Sequence, residues 1–263
     1  MSGPITTAST SLEWPALQAA FADRAAFTRA EVLAFYRAST PTLSANTIDS
    51  RIRQLLQQRW LVAVGRGRYA LAAEEEQRVA FRPTVSRAER TLWRALVKEW
   101  QLPEGCLWST AWVNEFSSHQ AAHSLLLVEV PRDYVQPVFF ALQDRYPHRV
   151  FLRPQPETLT YYIAEADRPI VVLPFISRAP VQRVDEVPVP RLEKLLVDLF
   201  SRPDLFAAYQ GHELKTIFTN ARRQYRLDER ALLSYARRRH RADDLRHFLR
   251  ALPDWPQPVP PSA

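Results

Sequence analysis

The chain lacks the residues that build covalent or metal-bound scaffolds. Its 263 residues include one cysteine, Cys106, which excludes internal disulfides and multi-cysteine zinc sites. With only five glycines and no GxGxxG or P-loop motif, a glycine-rich phosphate cradle is also excluded. The longest apolar runs, Leu125–Val130 and Ile170–Ile176, are much shorter than the roughly 20 residues of a membrane span. Because residues 1–14 show no secretory signal, we expect a soluble, cytoplasmic protein. Because the motifs for a nucleotide or a metal are missing, we also expect no cofactor.

Lysine is also scarce, because only three of the 35 basic residues are lysines. The formal charge of +7 is distributed unevenly. Residues 1–72 carry eight arginines and four acids, residues 73–218 carry seventeen basic and nineteen acidic groups, and residues 219–250 carry ten arginines against four acids. Arginine binds phosphate bidentately. Two basic ends around an acidic middle indicate a polyanionic partner that is bound at least by the first segment.

The first 72 residues are predicted to form three helices and a hairpin. Two short helices are expected within residues 13–38, and Thr28 with Glu31 forms a capping box for the second of them. Ser44 then caps a longer helix that runs to about Arg59. Its apolar positions fall on one stripe, and they are Ile48, Ile52, Leu55 and Leu56.

The opposite side of that helix carries short or forked hydrogen-bonding groups and no glutamate. Such a composition suits a helix that meets base edges and phosphates. Two β-rich runs follow, and the Gly65–Gly67 turn between them predicts a hairpin with a basic tip. Helix, helix, helix and basic hairpin is the order of a winged helix-turn-helix. The predicted DNA contacts are Asn46, Thr47, Ser50, Arg51 and Arg53 on the helix, with Arg66 and Arg68 on the hairpin.

Two other interpretations of this segment remain open. A polar helix face is often simply solvated, and winged helices also serve as protein-docking modules.

Residues 47–71, from Thr47-Ile48-Asp49 to the ending Gly-Arg-Gly-Arg-Tyr-Ala-Leu, resemble the N-terminal winged helix of AbiEi-type antitoxins. These antitoxins belong to type IV toxin–antitoxin systems of phage defence and abortive infection, and their partners are nucleotidyltransferase-like toxins.

A polar, acidic stretch at residues 73–84 is predicted to be a linker to a second domain, residues 85–252. Ser86 and Glu89 form a second capping box for a helix that ends near Trp100, with Leu92, Leu96 and Val97 expected on its buried face. Strands are then expected near residues 106–110, 124–130, 150–153, 160–163 and 170–176, with helices near 112–119 and 133–145. After Pro188-Val189-Pro190 a run of helices is predicted at residues 191–200, 204–208, 213–224, 229–240 and 242–252, followed by an unstructured tail at residues 253–263. The fold class expected is α+β, with a mixed sheet covered by helices and a helical C-terminal end.

The second segment also resembles AbiEi-type antitoxins. The most particular part of this resemblance is the pairing of Leu192–Asp198 (LEKLLVD) with Tyr209–Leu214 (YQGHEL). The resemblance implies an autorepressor of its own operon. Because a single winged helix reads few base pairs, we also expect inverted repeats in the operator and two copies of the protein on DNA. It also implies that the second domain counters a cognate toxin, not necessarily by direct contact.

Few residues of the second domain suggest catalysis. A nucleotidyltransferase-like core would place two carboxylates on one strand, but the strand near 124–130 offers Glu129 alone, so we interpret any such core as non-catalytic. Glu193, Lys194 and Asp198 lie on a predicted helix instead of in the E-x-K strand motif of nucleases, and we expect Glu193 and Lys194 to flank its buried face. His119 and His123 have no supporting metal ligand. We therefore predict no enzyme and no metal site.

The arginines near the C-terminus form a possible second basic patch. They end a predicted helix, where the helix dipole favours cations even without a ligand. The alternative is a second contact with the DNA backbone or with an acidic partner. The residues of this patch are Arg237, Arg238, Arg239 and Arg241. A rival hypothesis for the whole chain is a Mg²⁺-dependent nuclease or nucleotidyltransferase of a defence system, with a DNA-targeting winged helix.

Overall fold

A computed structural model describes residues 12–72, 78–119, 124–152, 154, 166, 168–253 and 255. The contacts divide the chain into two compact units, Met1–Val79 and Ala80–Ala263. Both contain helices and strands, so the mixed α and β class predicted from the sequence is confirmed. None of the described helices is long and apolar enough to cross a membrane.

The first unit contains helices and strands in the order α, β, α, α, β, β. These elements are α1 (Trp14–Phe21), β1 (Phe27–Thr28), α2 (Arg29–Ser39), α3 (Ala45–Gln57), β2 (Leu61–Gly65) and β3 (Arg68–Leu71). The capping box of Thr28 and Glu31 is confirmed at the start of α2, and the Ser44 hydroxyl accepts a hydrogen bond at the start of α3. The three strands form an antiparallel sheet in the order β1-β3-β2.

The predicted apolar stripe of α3 faces the core of the first unit. Ile48, Ile52 and Leu55 are almost fully buried, whereas Leu56 is half-buried. They pack with residues of α1, α2 and the sheet, including Leu17, Phe27, Val32, Tyr36 and Leu61. Burial of this stripe fixes which side of α3 remains in contact with water.

The second unit begins with a capped helix and continues as an alternation of strands and helices. Its first elements are α4 (Arg87–Trp100), β4 (Cys106–Ser109), β5 (Leu126–Val130), α5 (Val135–Arg145), β6 (Val150–Leu152), β7 (Ile170–Pro174), β8 (Val181–Val184) and β9 (Val187–Pro190). The helical end follows with α6 (Leu192–Ser201), α7 (His212–Gln224), α8 (Glu229–Arg238) and α9 (Ala242–Arg250). The predicted capping box of Ser86 and Glu89 is confirmed.

A four-stranded sheet with the order β4-β5-β7-β6 divides the core of the second unit. Strands β5, β6 and β7 are parallel, and β4 runs antiparallel to β5. Alternate residues of the sheet point to opposite faces. Trp108 and Leu127 pack with the C-terminal helices on one face, whereas Leu107 and Val128 pack with α4 and α5 on the other.

The structure corrects four details of the predicted secondary structure. Val187–Pro190, expected only to lead into the helical run, is a strand that pairs with β8, and the first helix of the run begins at Leu192, one residue after the expected start. The helix expected near 112–119 is a 3-10 helix, Thr110–Glu115. Val97, expected on the buried face of α4, is 38% exposed, and Trp93 is buried instead. The helix expected near 204–208 is a 3-10 turn, Ala207–Tyr209.

Several predictions fall wholly or partly outside the described residues. These are the strand at 160–163, His123, part of the linker at 73–84 and most of the tail at 253–263.

Candidate nucleic-acid interface

The outer face of α3 carries most of the predicted DNA contacts. Asn46, Thr47, Ser50 and Arg53 are all exposed. Their α-helical spacing places them opposite the buried stripe, because residues three and four apart share a face. This face therefore presents amide, hydroxyl and guanidinium groups to solvent.

Local hydrogen bonds order these groups along α3. The Thr47 backbone N–H donates to Ser44 Oγ over 3.1 Å. Ser50 Oγ donates to the Asn46 carbonyl over 3.0 Å and accepts from Arg53 Nη2 over 3.1 Å. The Arg53 guanidinium thus lies along the helix surface and retains donors for a ligand, since guanidinium carries five N–H groups.

The single carboxylate within this part of α3, Asp49, is neutralised by an arginine of α2. Arg29 Nε and Nη2 donate to the two oxygens of Asp49, each over 2.7 Å. The Arg29 hydrogen bonds hold the pKa of Asp49 below its ordinary value, and the same pair raises the pKa of Arg29. Arg29 was not among the residues predicted to form a site. The signal that could have found it is the lone acid on an otherwise basic and polar face.

Arg29 also joins the hairpin tip to the helices. Its backbone N–H donates to the Gly67 carbonyl over 2.9 Å, while its guanidinium holds Asp49 on α3. Gly67 has a φ of 67°, a backbone conformation that favours glycine. The strands pair with an irregularity before the tip, where Gly65 lies opposite Arg68. Arg66 and Arg68 are exposed at this tip, as the sequence analysis predicted for the hairpin.

Arg51 is placed differently from the other predicted contacts. Its Nη1 donates to Glu13 Oε1 over 2.8 Å, and its guanidinium lies 4.7 Å from the centre of the Tyr36 ring. Only 21% of its side chain is exposed. Arg51 is thus engaged within the first unit, and we do not include it in the surface formed by Asn46, Thr47, Ser50, Arg53, Arg66 and Arg68, which we call the polar-basic face.

The structure does not bring the four C-terminal arginines together as one free patch. Arg237 is exposed, but Arg238 donates to the carbonyls of Ser177 and Arg178. Arg239 lies inside, with its Nε 3.6 Å from Asp198 Oδ1. Arg241 forms an ion pair with Asp244 over 3.2 Å and lies against the Phe200 ring.

A network of buried charges links the sheet of the second unit to α6 and α8. Lys194 Nζ donates to Glu129 Oε1 over 2.7 Å and to Asp198 Oδ2 over 2.5 Å. Trp108 Nε1 donates to the same Glu129 oxygen over 2.8 Å, and the Tyr235 hydroxyl donates to Asp198 Oδ1 over 2.9 Å. The Lys194 side chain is 0% exposed and both carboxylates are 6% exposed. We call Glu129, Lys194, Asp198, Trp108 and Tyr235 the buried network.

Burial and charge act in opposite directions on the titration of this network. Burial disfavours charged Lys194, but Asp198 and Glu129 more than compensate, so the pKa of Lys194 lies well above its ordinary value. Burial likewise disfavours ionised Asp198, yet Lys194 and Arg239 keep its pKa below the ordinary value. Burial raises the pKa of Tyr235 and of the neighbouring Cys106 thiol. At neutral pH the network therefore contains an ammonium, ionised Asp198 and a neutral phenol, and the neighbouring Cys106 thiol is neutral.

The expectation that Glu193 and Lys194 flank the buried face of α6 is wrong. The whole run Leu192–Leu199 is buried because α7, α8 and β9 pack around α6. Glu193 Oε1 accepts from the backbone N–H of Asp228 over 2.9 Å and from Arg191 over 3.2 Å. Within the described residues, no group of three or more His, Cys, Asp or Glu side chains is arranged to hold a metal ion.

Comparison with known proteins places the chain in a family without assigning a function. No curated protein matches the chain. A family model, described as a family of unknown function (DUF6577), matches residues 47–253. The match starts within α3, includes the hairpin and continues through the last helix of the second unit. Because it extends over most of the chain, the chain belongs to this family of unknown function, DUF6577.

Proposed function

We propose that the protein is a DNA-binding transcriptional regulator whose first unit is a winged helix-turn-helix. The observation that carries the proposal is the polar-basic face, in which α3 and the hairpin tip are tied together through Arg29. Support also comes from the order of elements, in which two helices precede α3 and an antiparallel hairpin with a basic tip follows it.

In the proposed complex α3 enters the major groove and the hairpin contacts the adjacent backbone or groove. Asn46, Thr47 and Ser50 offer the hydrogen-bonding groups that read base edges. Arg53, Arg66 and Arg68 supply charge for phosphates. Neutralisation of Asp49 by Arg29 removes the one carboxylate of α3 that would repel the duplex.

The proposed physiological role is that of an antitoxin similar to the AbiEi type, which represses its own operon. This part rests on the resemblance of residues 47–71 and of the LEKLLVD and YQGHEL segments. A winged helix reads few base pairs, so we propose inverted repeats in the operator and two copies of the protein on DNA. The proposed protein partner is a nucleotidyltransferase-like toxin.

Gel-shift and salt-dependence measurements on the protein's own promoter test the DNA-binding proposal. Arg66→Ala should weaken binding to all sequences and lower the slope of log affinity against log salt by about one. Asn46→Ala or Ser50→Ala should instead relax base preference. The matched control is Arg37→Ala, which removes an exposed arginine of α2 that lies outside the polar-basic face. If the Arg66 and Asn46 variants bind like wild type, α3 and the hairpin do not bind DNA.

A second candidate is an enzyme of nucleic-acid defence, and the buried network is the observation that favours it. The sequence offered Glu129 as a lone acid on its strand, whereas in the structure Glu129 and Asp198 bind the same Lys194 ammonium. Carboxylates beside a lysine occur in metal-dependent phosphodiester chemistry. Against this candidate, both carboxylates already have cationic or hydrogen-bonding partners and are almost fully buried.

Incubation of the full-length protein with Mg²⁺, nucleotides and labelled DNA or tRNA distinguishes the two candidates. A regulator yields no turnover, whereas an enzyme yields product. Glu129→Gln should abolish that turnover while leaving DNA binding intact, provided that circular dichroism shows the variant to be folded. A folded variant that turns over like wild type would contradict the enzyme hypothesis at this network.

A further inference from the structure

A cleft in the second unit lies between α4 and the β8–β9 hairpin. Its volume is about 670 Å³, which falls in the range of about 300–1,000 Å³ typical of small-molecule sites. The floor is largely apolar, with Trp93, Leu102, Phe175, Val181 and Val187 among its lining residues. No residue of the polar-basic face or of the buried network lines it.

Gly105 allows the tryptophan of the floor to pack closely against the backbone. A Cβ at this position would lie 2.6 Å from the Trp93 ring and 2.7 Å from the Glu129 carbonyl oxygen, so no larger residue fits without a shift. One of the five glycines of the chain therefore lies at a position where any side chain would collide with the Trp93 ring. The floor is therefore a tightly packed surface that includes an aromatic ring.

The β8–β9 turn places two carboxylates beside two arginines of the cleft. Arg90 Nη1 lies 2.7 Å from Asp185 Oδ2, and Arg94 Nη2 lies 3.7 Å from Glu186 Oε2. Asp185 and Glu186 both have positive φ, 48° and 69°, a turn that usually takes Asn-Gly or Asp-Gly. Glu186 thus occupies a position where the backbone conformation is disfavoured for a residue with a side chain.

Two further arginines of the cleft, Arg178 and Arg183, have no carboxylate partner among the described residues. Arg183 Nη1 donates to the Glu186 carbonyl over 3.0 Å. Arg178 has a φ of 57°, and its carbonyl accepts from the Arg238 guanidinium, which fixes this loop. Strained backbone concentrates at binding and catalytic sites. Three of the nine described non-glycine residues with positive φ line this cleft.

We propose that the cleft binds a small organic anion. A carboxylate or phosphate of the ligand would be held by Arg178 and Arg183, since guanidinium groups bind both anions through paired hydrogen bonds. The apolar body of the ligand would lie on the floor formed around Trp93. Apart from Asp185 and Glu186, Glu104 is the one acid among the lining residues. The two arginines without a carboxylate partner, Arg178 and Arg183, therefore outnumber the remaining acid. This proposal does not depend on DNA binding.

Calorimetric titration of the full-length protein without DNA tests the proposal with four probes. Phenyl phosphate and phenylacetate combine an apolar ring with a phosphate or a carboxylate. Inorganic phosphate supplies the anion alone, and benzyl alcohol supplies the ring alone. Saturable binding of phenyl phosphate or phenylacetate, at least about tenfold tighter than either single-feature probe, is the expected result. Which of the two binds more tightly identifies the anionic group.

Two variants and one control locate the binding. The double substitution Arg178→Gln with Arg183→Gln should weaken binding about tenfold or more, because it removes the charge-assisted hydrogen bonds. Val97→Trp should block the cleft, since Val97 lines it and is 38% exposed, so that a larger side chain can be accommodated without entering the core. Arg230→Gln removes an exposed arginine outside the cleft and should bind like wild type.

The proposal is overturned if none of the four probes binds saturably at millimolar concentration. It is also overturned if a probe binds equally well to wild type, to the double arginine variant and to Val97→Trp. Thermal unfolding of each variant confirms that it is folded, and Val97→Trp remains a test if the double variant is not. DNA binding is measured separately, so failure here leaves the proposed regulatory function untouched.

Discussion

The two units differ in where their functional charges lie: the charges of the polar-basic face are exposed to solvent, whereas those of the buried network are enclosed in the core. In the first unit, Arg53, Arg66 and Arg68 are exposed and have few partners, so their charge is available to a ligand. In the second unit, Lys194 is fully buried and its charge is balanced by Glu129 and Asp198. The total charge of a segment therefore says little about binding until the partner of each side chain is known.

Charges that remain in water stabilise a fold only weakly, whereas buried charges are costly if one partner is missing. Substitutions on the polar-basic face should therefore change DNA affinity and leave the free energy of unfolding almost unchanged. Substitutions in the buried network should do the reverse. Arg51 and Asp49 lie in the first unit, but both form ion pairs within the protein. Substitutions of these two residues therefore test whether the effect on stability or on DNA binding depends on the ion pair or on the unit in which the residue lies.

The largest effect is expected from Lys194→Met. This variant leaves the buried Glu129 without its ammonium partner and leaves Asp198 with only the more distant Arg239, so the free energy of unfolding should fall by about 3–5 kcal/mol. Urea denaturation followed by tryptophan fluorescence measures it, since five of the seven tryptophans lie in the second unit. Lys98→Met, at an exposed position of α4, is the control and should change stability by less than about 0.5 kcal/mol. A similar loss in both variants would show that the network does not stabilise the unit.

A smaller and pH-dependent effect is expected from Asp198→Asn. At neutral pH the variant should lose about 1–3 kcal/mol, because Lys194 and Tyr235 lose a charged acceptor. Since the pKa of folded Asp198 lies below the ordinary 3.8, this contribution is complete above about pH 4 and is lost as the pH falls through the folded pKa. Denaturation curves of wild type and variant should therefore converge in acid. A difference that stays constant down to pH 3 would show that folding does not lower the pKa of Asp198.

Arg51→Gln and Arg53→Gln form a matched pair on the same helix. Arg51→Gln should lower stability by about 1 kcal/mol, through loss of the Glu13 ion pair and the Tyr36 contact. Its effect on the salt dependence of DNA binding should be small. Arg53→Gln should leave stability within about 0.5 kcal/mol and lower the salt slope by about one. Thermal unfolding and DNA titrations at several salt concentrations measure both, and an exchange of the two outcomes would contradict the proposed orientation of α3.

The smallest change in stability is expected from Asp49→Asn. The free energy of unfolding should stay almost unchanged, because the ion pair with Arg29 is exposed to solvent. DNA binding should nevertheless become tighter at low salt, with a salt slope steeper by about one, because Arg29 becomes available to a phosphate. Asp23→Asn makes the same change of charge at an exposed position outside the polar-basic face and is the control. Equal slopes in both variants would place Arg29 away from bound DNA.

Local patterns predicted the elements of the first unit well, because each has its own signal. Capping residues marked where α2 and α3 begin, and the stripe of Ile48, Ile52 and Leu55 marked the buried side of α3. Long-range partners were not predictable in this way. The pairing of Arg29 with Asp49 joins residues twenty positions apart, and periodicity contains no information about which exposed charges meet.

The second unit shows the same limit more strongly. The alternation of helices and strands was recognisable, but the strand at Val187–Pro190 was missed because two of its four residues are prolines and its partner strand is short. The buried network was also missed, since helical periodicity assigns Glu193 and Lys194 to the edge of an apolar face. Once α6 is covered on all sides, such residues need buried partners, and Glu129 is supplied from a strand 65 positions away.

Arg29 connects α3 to the hairpin. Its guanidinium donates two hydrogen bonds to Asp49 on α3, and its backbone N–H donates to Gly67 in the hairpin turn. Helix α3 and the hairpin are joined through Arg29 in the free protein, so in the proposed complex little conformational freedom would be lost on binding DNA. In the proposed complex the distance between the two contacted stretches of DNA is then set by the protein. An operator with one base pair inserted between those stretches would no longer fit both at once.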